Sequence, residues 1–260
     1  MSESVIINAV DRALDVVLYL YNQGREVSIT EISKDLGVYK STVFRTLATL
    51  QNKGFVAQNP ENEKYSLGEK FYIIGTSMNN RGGLVKLVRP YAQRLSAEFD
   101  EAVNVSILDK DIDGLYKSVI IYKEESYKGL NANTEVGSRN ECYCAAVGKC
   151  LLAFSENIDL TIYRKHKMEK YTDTTITSVA DLKNELERIR TRGYAIDNEE
   201  REKGLLCIGA PILMNGTALA AISISGPESR IRHDMEYKID FLKKLSEEIS
   251  DEISRHPSQQ

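Results

Sequence analysis

The first 70 residues alternate apolar and polar positions with a helical period three times over, then switch to the period of strands. From Ala9 to Gln23, Val10, Ala13, Leu14, Val17 and Tyr21 recur at spacings of three and four, which predicts a helix that buries this stripe and ends near Gly24. Ser28 with Glu31 three residues later is a capping-box pattern, and Ile32 and Leu36 continue an apolar face to Gly37, so a short second helix is expected. Val43, Leu47 and Leu50 predict a third helix from Ser41 to Lys53, with Ser41 or Thr42 as its cap and Gly54 as its stop. Phe55-Val56-Ala57 and Lys64-Tyr65-Ser66-Leu67 read as strands around the turn-forming run Asn59 to Glu63. Three helices followed by a hairpin is the order of a winged helix-turn-helix.

From Lys70 to Leu95 the chain is helix-prone but interrupted by Gly82-Gly83 and Pro90, and between Thr76 and Leu95 it carries Arg81, Lys86, Arg89 and Arg94 with no acid. An interdomain linker is expected here. Beyond it, Val103 to Ile107 alternates as a half-buried strand and pairs with Leu115 to Tyr122 across a turn at Asp109 to Gly114. A loop ending near Arg139 leads to helices from about Cys144 to Phe154 and from Val179 to Arg192, the second capped by Thr177 or Ser178 and stopped by Gly193. Strands Tyr194 to Asp197, Leu205 to Leu213 and Ala218 to Ser225 follow, then a last amphipathic helix bearing Met235, Ile239, Leu242, Leu245, Ile249 and Ile253. The mixture is that of an α+β fold. The expected division is residues 1–70, a linker over 71–95, and a second domain over 96–260.

Composition narrows the class. With 42% hydrophobic and 28% charged residues, dominant disorder is excluded. The longest apolar runs, Val16 to Leu20 and Leu205 to Leu213, fall far short of the roughly 20 residues of a membrane helix. Asp11 and Arg12 break any signal-like run, so a cytoplasmic protein without membrane contact is expected. The 34 Lys+Arg against 38 Asp+Glu give a net charge of −4, hence no global field that attracts nucleic acid, and any anion-binding surface must be local. One such surface is visible: Lys34, Lys40, Arg45 and Lys53 stand against Asp35 alone between positions 34 and 53. With Val43, Leu47 and Leu50 inward, Lys40, Ser41, Thr42, Arg45 and Thr46 fall on the outer face and first turn of the third helix. Cations neutralise phosphates or donate to guanine, and hydroxyls hold phosphate oxygens in register, so these five are the candidate contacts to double-stranded DNA. Lys64 and Tyr65 on the hairpin are further candidates for the DNA backbone.

A second constellation lies toward the carboxy terminus. Ser223 and Ser225, two apart on a strand, point to one face, and Asp197 and Cys207 belong to neighbouring strands. The helix after Ala145 offers free N–H groups at Ala146, Val147 and Gly148, which favour an anion. Together they suit a small carboxylate that also carries a hydroxyl or carbonyl, with Asp197 accepting from the hydroxyl or repelling ligands that lack one. Each residue also has a plain structural reading: serines bonded to their own sheet, Cys207 in the core, Asp197 capping the loop Asn198 to Lys203, Gly148 serving tight packing. A small Cys-dependent hydrolase or acyl-transfer enzyme, with Cys207 as nucleophile and Asp197 beside it, is the competing class, but no histidine lies near either in sequence. Cys142, Cys144 and Cys150 invite a zinc or redox-sensing reading. Cys-x-Cys is not the usual zinc spacing, and His166, His233 and His256 are remote, so these thiols are read first as small buried apolar groups. No catalytic residue, metal ligand or cofactor is assigned.

Several segments in order resemble one family. Ser28 to Ile32, Tyr39 to Leu47, Leu50 to Phe55 and Tyr65 to Gly68 are similar to the N-terminal domain of transcription factors of the isocitrate-lyase-regulator (IclR) type. Ala145 to Ala153, Gly193-Tyr194-Ala195, Asp197 with Glu199-Glu200, Gly204 with Cys207-Ile208, Ala210-Pro211-Ile212 and Ala220 to Pro227 follow that family's effector domain. The resemblance spans nearly the whole chain. It implies a winged helix-turn-helix joined to a GAF-like mixed α/β effector-binding domain, in a regulator, more often a repressor, that binds a DNA operator as a homodimer or dimer of dimers. It also implies that the effector is held by residues matching Ala146, Val147, Asp197, Cys207, Ser223 and Ser225, with Leu205 as an apolar wall; some members of the family bind aromatic compounds and others short organic or sugar acids, and the two serines with Asp197 favour the second group. The chain departs from the family at Glu141-Cys142-Tyr143, where a proline, an apolar residue and a histidine are frequent, so the ligand is not transferable from a relative.

Overall fold

Val16, Tyr19 and Leu20 form the buried face of the first helix, α1 (Asn8–Gln23). The computed structural model describes residues 6–80, 83–111, 113–126 and 135–255, and the chain divides into two compact units, Met1–Arg81 and Gly82–Gln260. In the first unit α1 is followed by α2 (Ile29–Asp35), α3 (Lys40–Asn52), a two-stranded antiparallel hairpin of β1 (Val56–Gln58) and β2 (Tyr65–Leu67), and α4 (Lys70–Asn80). Its core gathers Val16, Tyr19, Leu20, Val27, Ile32, Val43, Leu47, Val56 and Tyr65. The expected stripe on α1 is corrected: Val10, Leu14 and Tyr21 are exposed. The helix carries apolar residues on two faces, and the core takes the one that also lets the Tyr19 hydroxyl donate to Asp35 Oδ2 at 2.6 Å, tying α1 to α2. The capping box of α2 forms as predicted, Glu31 N donating to Ser28 Oγ and Ser28 N to Glu31 Oε2.

The second unit is built on a six-stranded antiparallel sheet. After α5 (Leu84–Phe99) come β3 (Ala102–Lys110), β4 (Tyr116–Glu124), β5 (Arg139–Glu141), a 3-10 turn (Cys142–Cys144), α6 (Ala146–Phe154), α7 (Ile162–Lys165) and α8 (Val179–Arg192). The chain continues with β6 (Ala195–Asn198), β7 (Leu205–Met214), β8 (Thr217–Pro227), α9 (Glu228–Arg232) and α10 (Met235–Arg255). The strand order is β5-β4-β3-β8-β7-β6, so β3, near the start of the unit, pairs with β8, near its end. One sheet face buries Val103, Val105, Ile208, Ile222 and Ile224 under α5 and α10, whose Val88, Leu95, Leu242 and Ile249 join that core. The other face packs against α6 and α8 through Cys150, Leu151, Leu182, Leu186 and Ala221. Pro90 lies inside α5 and does not end it, contrary to expectation: it removes one N–H donor, and the helix continues because its apolar face is held by the sheet. The expected loop ends near Arg139 as an edge strand, Arg139–Glu141, paired to β4. Ser178 caps α8, accepting from Asp181 N. Among the described residues no helix is long and apolar enough to cross a membrane.

Candidate functional site

In the first unit, α3 turns Val43 and Leu47 inward and leaves Lys40, Ser41 and Arg45 exposed, with Thr42 and Thr46 half-buried at the flanks. All five predicted DNA contacts therefore lie on or beside the solvent face of one helix. Thr42, Arg45 and Thr46 also border a groove against Ala9, Arg12 and Ala13 of α1, which adds a second guanidinium that the α3 pattern alone does not reveal. The cap of α3 is corrected. The helix begins at Lys40, its N-cap is Tyr39, and no side chain caps it, because Ser41 and Thr42 already belong to the first turn. The N–H groups of Thr42 and Val43 bond to the Tyr39 carbonyl, while among the described residues nothing accepts from those of Lys40 and Ser41, which suits a phosphate oxygen. Tyr65 of the hairpin is buried, so its expected contact with the DNA backbone is withdrawn; its ring is needed in the core, and its backbone bridges Val27.

In the second unit, a cavity between the sheet and the start of α6 brings together all seven predicted effector residues: Ala146, Val147, Asp197, Leu205, Cys207, Ser223 and Ser225. The register explains the convergence. Asp197 pairs with Cys207 and Cys207 with Ser225, so these three form one cross-strand row. Ser223 sits two residues along β8 and pairs with Gly209 on one side and Asn104 on the other. With only hydrogen at Gly209, the α6 backbone approaches the sheet so closely that a Cβ there would lie 3.0 Å from the Ala146 carbonyl carbon and 3.1 Å from Val147 N. Gly148 is equally constrained, since its Cβ would fall 2.4 Å from Cys142 Cα. Two glycines thus aim the start of α6 at the serine row. Among the described residues nothing accepts from the N–H groups of Ala146, Val147 and Gly148, which leaves the positive end of the helix dipole facing the cavity.

The charges around this cavity are arranged unusually. Asp197 is only 3% exposed; its Oδ1 accepts from Glu200 N at 2.7 Å, so it both caps the turn after β6 and lines the cavity. Burial, reinforced by the charge of Glu200, pushes its carboxyl up to about 7. Glu200 itself is paired with Lys149 of α6, whose side chain is 1% exposed and whose Nζ also donates to the Ile196 carbonyl at 2.6 Å. Thr172 and Thr175 hold the same turn, donating to the Glu199 and Glu200 carbonyls at 2.7 and 2.6 Å. Burial, followed by the charge of Asp197, drives the Cys207 thiol well above its ordinary value, and among the described residues no histidine lines the cavity to serve as the base that a nucleophile needs.

The cavity also contains groups outside the seven expected: Asn104, Ser106, Ile120, Asn140, Ala145 and Arg201, with Glu141 from the segment where the chain departs from the family. Ser106 Oγ is buried without a hydrogen-bond partner. Arg201 lies 3.9 Å from the centroid of the Tyr171 ring and carries a cation to the cavity's rim. Asn104 and Ser106 carried a period-2 signal in Val103 to Ile107; Arg201 carried none. Cys142, Cys144 and Cys150 are buried. Desolvation raises the thiols of Cys144 and Cys150 to about 12 and that of Cys142 well above its ordinary value. Thiols so held are poor nucleophiles and poor redox sensors, and among the described residues no cluster of His, Cys, Asp and Glu is placed to hold a metal.

Residues 9–60 match the IclR helix-turn-helix domain, and residues 77–254 match the bacterial transcriptional regulator IclR C-terminal family. The chain is 36% identical over 227 residues to the HTH-type transcriptional regulator BhcR of Paracoccus denitrificans, covering 86% of this chain and 79% of that protein. It is 31% identical over 231 residues to the transcriptional repressor IclR of Escherichia coli, covering 88% and 83%. An IclR homologue from Microbacterium hydrocarbonoxydans, solved in complex with 4-hydroxybenzoate, shares the fold with a TM-score of 0.71 at 17% identity, over 95% of this chain and 99% of that one. These families and relatives are transcriptional regulators, not enzymes. With both halves matched in order, the chain belongs to the IclR family of DNA-binding transcriptional regulators.

Proposed function

We propose that this protein is a repressor whose grip on a double-stranded operator is adjusted by a small carboxylate that also carries a hydroxyl or carbonyl. Lys40, Ser41, Thr42, Arg45 and Thr46 contact the DNA, and Ala146, Val147, Asp197, Leu205, Cys207, Ser223 and Ser225 hold the effector. The observation that carries the reading is the cavity itself, where the unpaired N–H groups at the start of α6 face a row of hydroxyl, thiol and carboxyl groups. The N–H groups take the ligand carboxylate, the serines take its second oxygen, and Leu205 excludes water from the remainder. The repressor role is drawn from the E. coli relative, a transcriptional repressor, and the homologue solved with 4-hydroxybenzoate supports a hydroxylated carboxylate as the kind of ligand. The protein works in the cytoplasm as a homodimer or dimer of dimers, in keeping with the two-fold symmetry of operators.

The test is an anisotropy titration of the full chain on duplexes recovered by selection from a random library, repeated with glycolate, pyruvate, gluconate and 4-hydroxybenzoate. At least one acid is expected to release the DNA, and linkage requires DNA to weaken that acid's binding by the same factor. Tight DNA binding indifferent to every acid would remove the effector half of the reading. Failure to recover any duplex would remove the DNA half.

A further inference from the structure

The solvent face of α3 is not uniformly polar. Phe44 is 56% exposed, and Ala48, one helical turn further on, is exposed on the same face. Lys40 stands one turn before Phe44, and Ser41 and Arg45 flank it, all exposed. Val43 and Leu47 fill the core and this ring is not part of it, so that core does not require a phenyl group at position 44. The two cations beside it disfavour an apolar protein partner, whose contact would strip them of water with no anion in return. A DNA major groove supplies both needs at once: phosphates along its rim for Lys40 and Arg45, and on its floor the 5-methyl group of thymine, the apolar feature that Phe and Ala side chains cover.

We propose that Phe44, backed by Ala48, is a specificity-determining residue that covers a thymine 5-methyl group in each operator half-site. This rests on the assignment of the α3 face to DNA made above, and adds to it a base preference that comes from apolar contact rather than from hydrogen bonds.

The experiment takes a duplex recovered by selection with the full-length protein and replaces each thymine in turn by deoxyuridine, which removes the methyl group alone. The wild-type protein is expected to lose affinity about three- to tenfold at one position per half-site. Phe44→Ala binds the thymine and deoxyuridine duplexes equally, and Phe44→Leu keeps part of the preference. Position 44 is exposed, so circular dichroism and Tm of both variants should match the wild type. Wild-type indifference to every deoxyuridine, or an undiminished penalty in Phe44→Ala, overturns the proposal while leaving DNA binding intact. A changed oligomeric state in Phe44→Ala, read by light scattering, would assign the ring to a protein contact and overturn it as well. Recovery of no duplex at all would instead sink the DNA assignment on which it rests.

Discussion

Lys149 on α6 forms a buried ion pair with Glu200 in the turn that follows β6. The pair joins the helix that offers free N–H groups to the turn whose Glu200 N–H is bonded to Asp197, and with the Lys149 bond to the Ile196 carbonyl it ties together the two walls of the cavity. Neither charge has much access to water, and removing one partner leaves the other desolvated and alone. Lys149→Met is therefore expected to lower the unfolding free energy by about 3–5 kcal/mol, whereas Lys149→Met combined with Glu200→Leu should recover much of the loss. Urea denaturation of the single and double variants measures both. An additive double variant would mean that the two charges are not coupled.

Arg45 tests the other site. It is exposed on α3 beside Thr42 and Thr46, and a side chain that neutralises one phosphate contributes about 0.9 to the slope of log affinity against log salt concentration. Arg45→Ala should reduce that slope by about one and weaken all duplexes alike, without any change in Tm. If instead the slope stays and affinity falls for particular sequences only, Arg45 reads a base rather than a phosphate.

Ser223 and Ser225 separate the two sites. Both are buried on β8 and face the cavity, far from α3 in sequence and in a different structural unit. The double change to Ala removes two hydroxyls and little volume. It should abolish release of DNA by an effective acid while leaving affinity for DNA within about twofold, since surface and ligand contacts are independent when no partner is shared. Retained release, followed by anisotropy, would take both serines out of the ligand site.

How much of this was readable in the sequence follows from where the signals lie. The α2 capping box, the α3 core positions and the Ser178 cap are local, and local patterns survive folding. Ser223 and Ser225 were found by the two-residue period of a strand, and Asp197 and Cys207 by their adjacent strands. Asn104 and Ser106 show the same period, yet they reach the cavity only because β3 pairs with β8, a contact across some 120 residues that no local rule specifies. Arg201 and Glu141 lie in a turn and at a strand end whose direction depends on tertiary packing. On α1 two apolar faces offer two stripes of equal merit, and only the packed core chooses between them.

Asp197 links the cavity to pH. Burial and the charge of Glu200 raise it to about 7, against a smaller opposing pull from Lys149. Below that pH it is neutral; above it, a negative charge stands in the cavity proposed to receive an anion, with Arg201 exposed at the rim. For an acid with no hydroxyl, such as pyruvate, binding requires the neutral form, so affinity should be constant below pH 7 and fall toward tenfold per pH unit above it. A hydroxy acid can donate to the ionised carboxylate, and its affinity should fall less. Asp197→Asn should flatten the pyruvate profile across the whole range, as measured by calorimetry between pH 5.5 and 8.5 or roughly so. A wild-type profile that stays flat for both acids would show that Asp197 caps its turn and leaves the ligand alone.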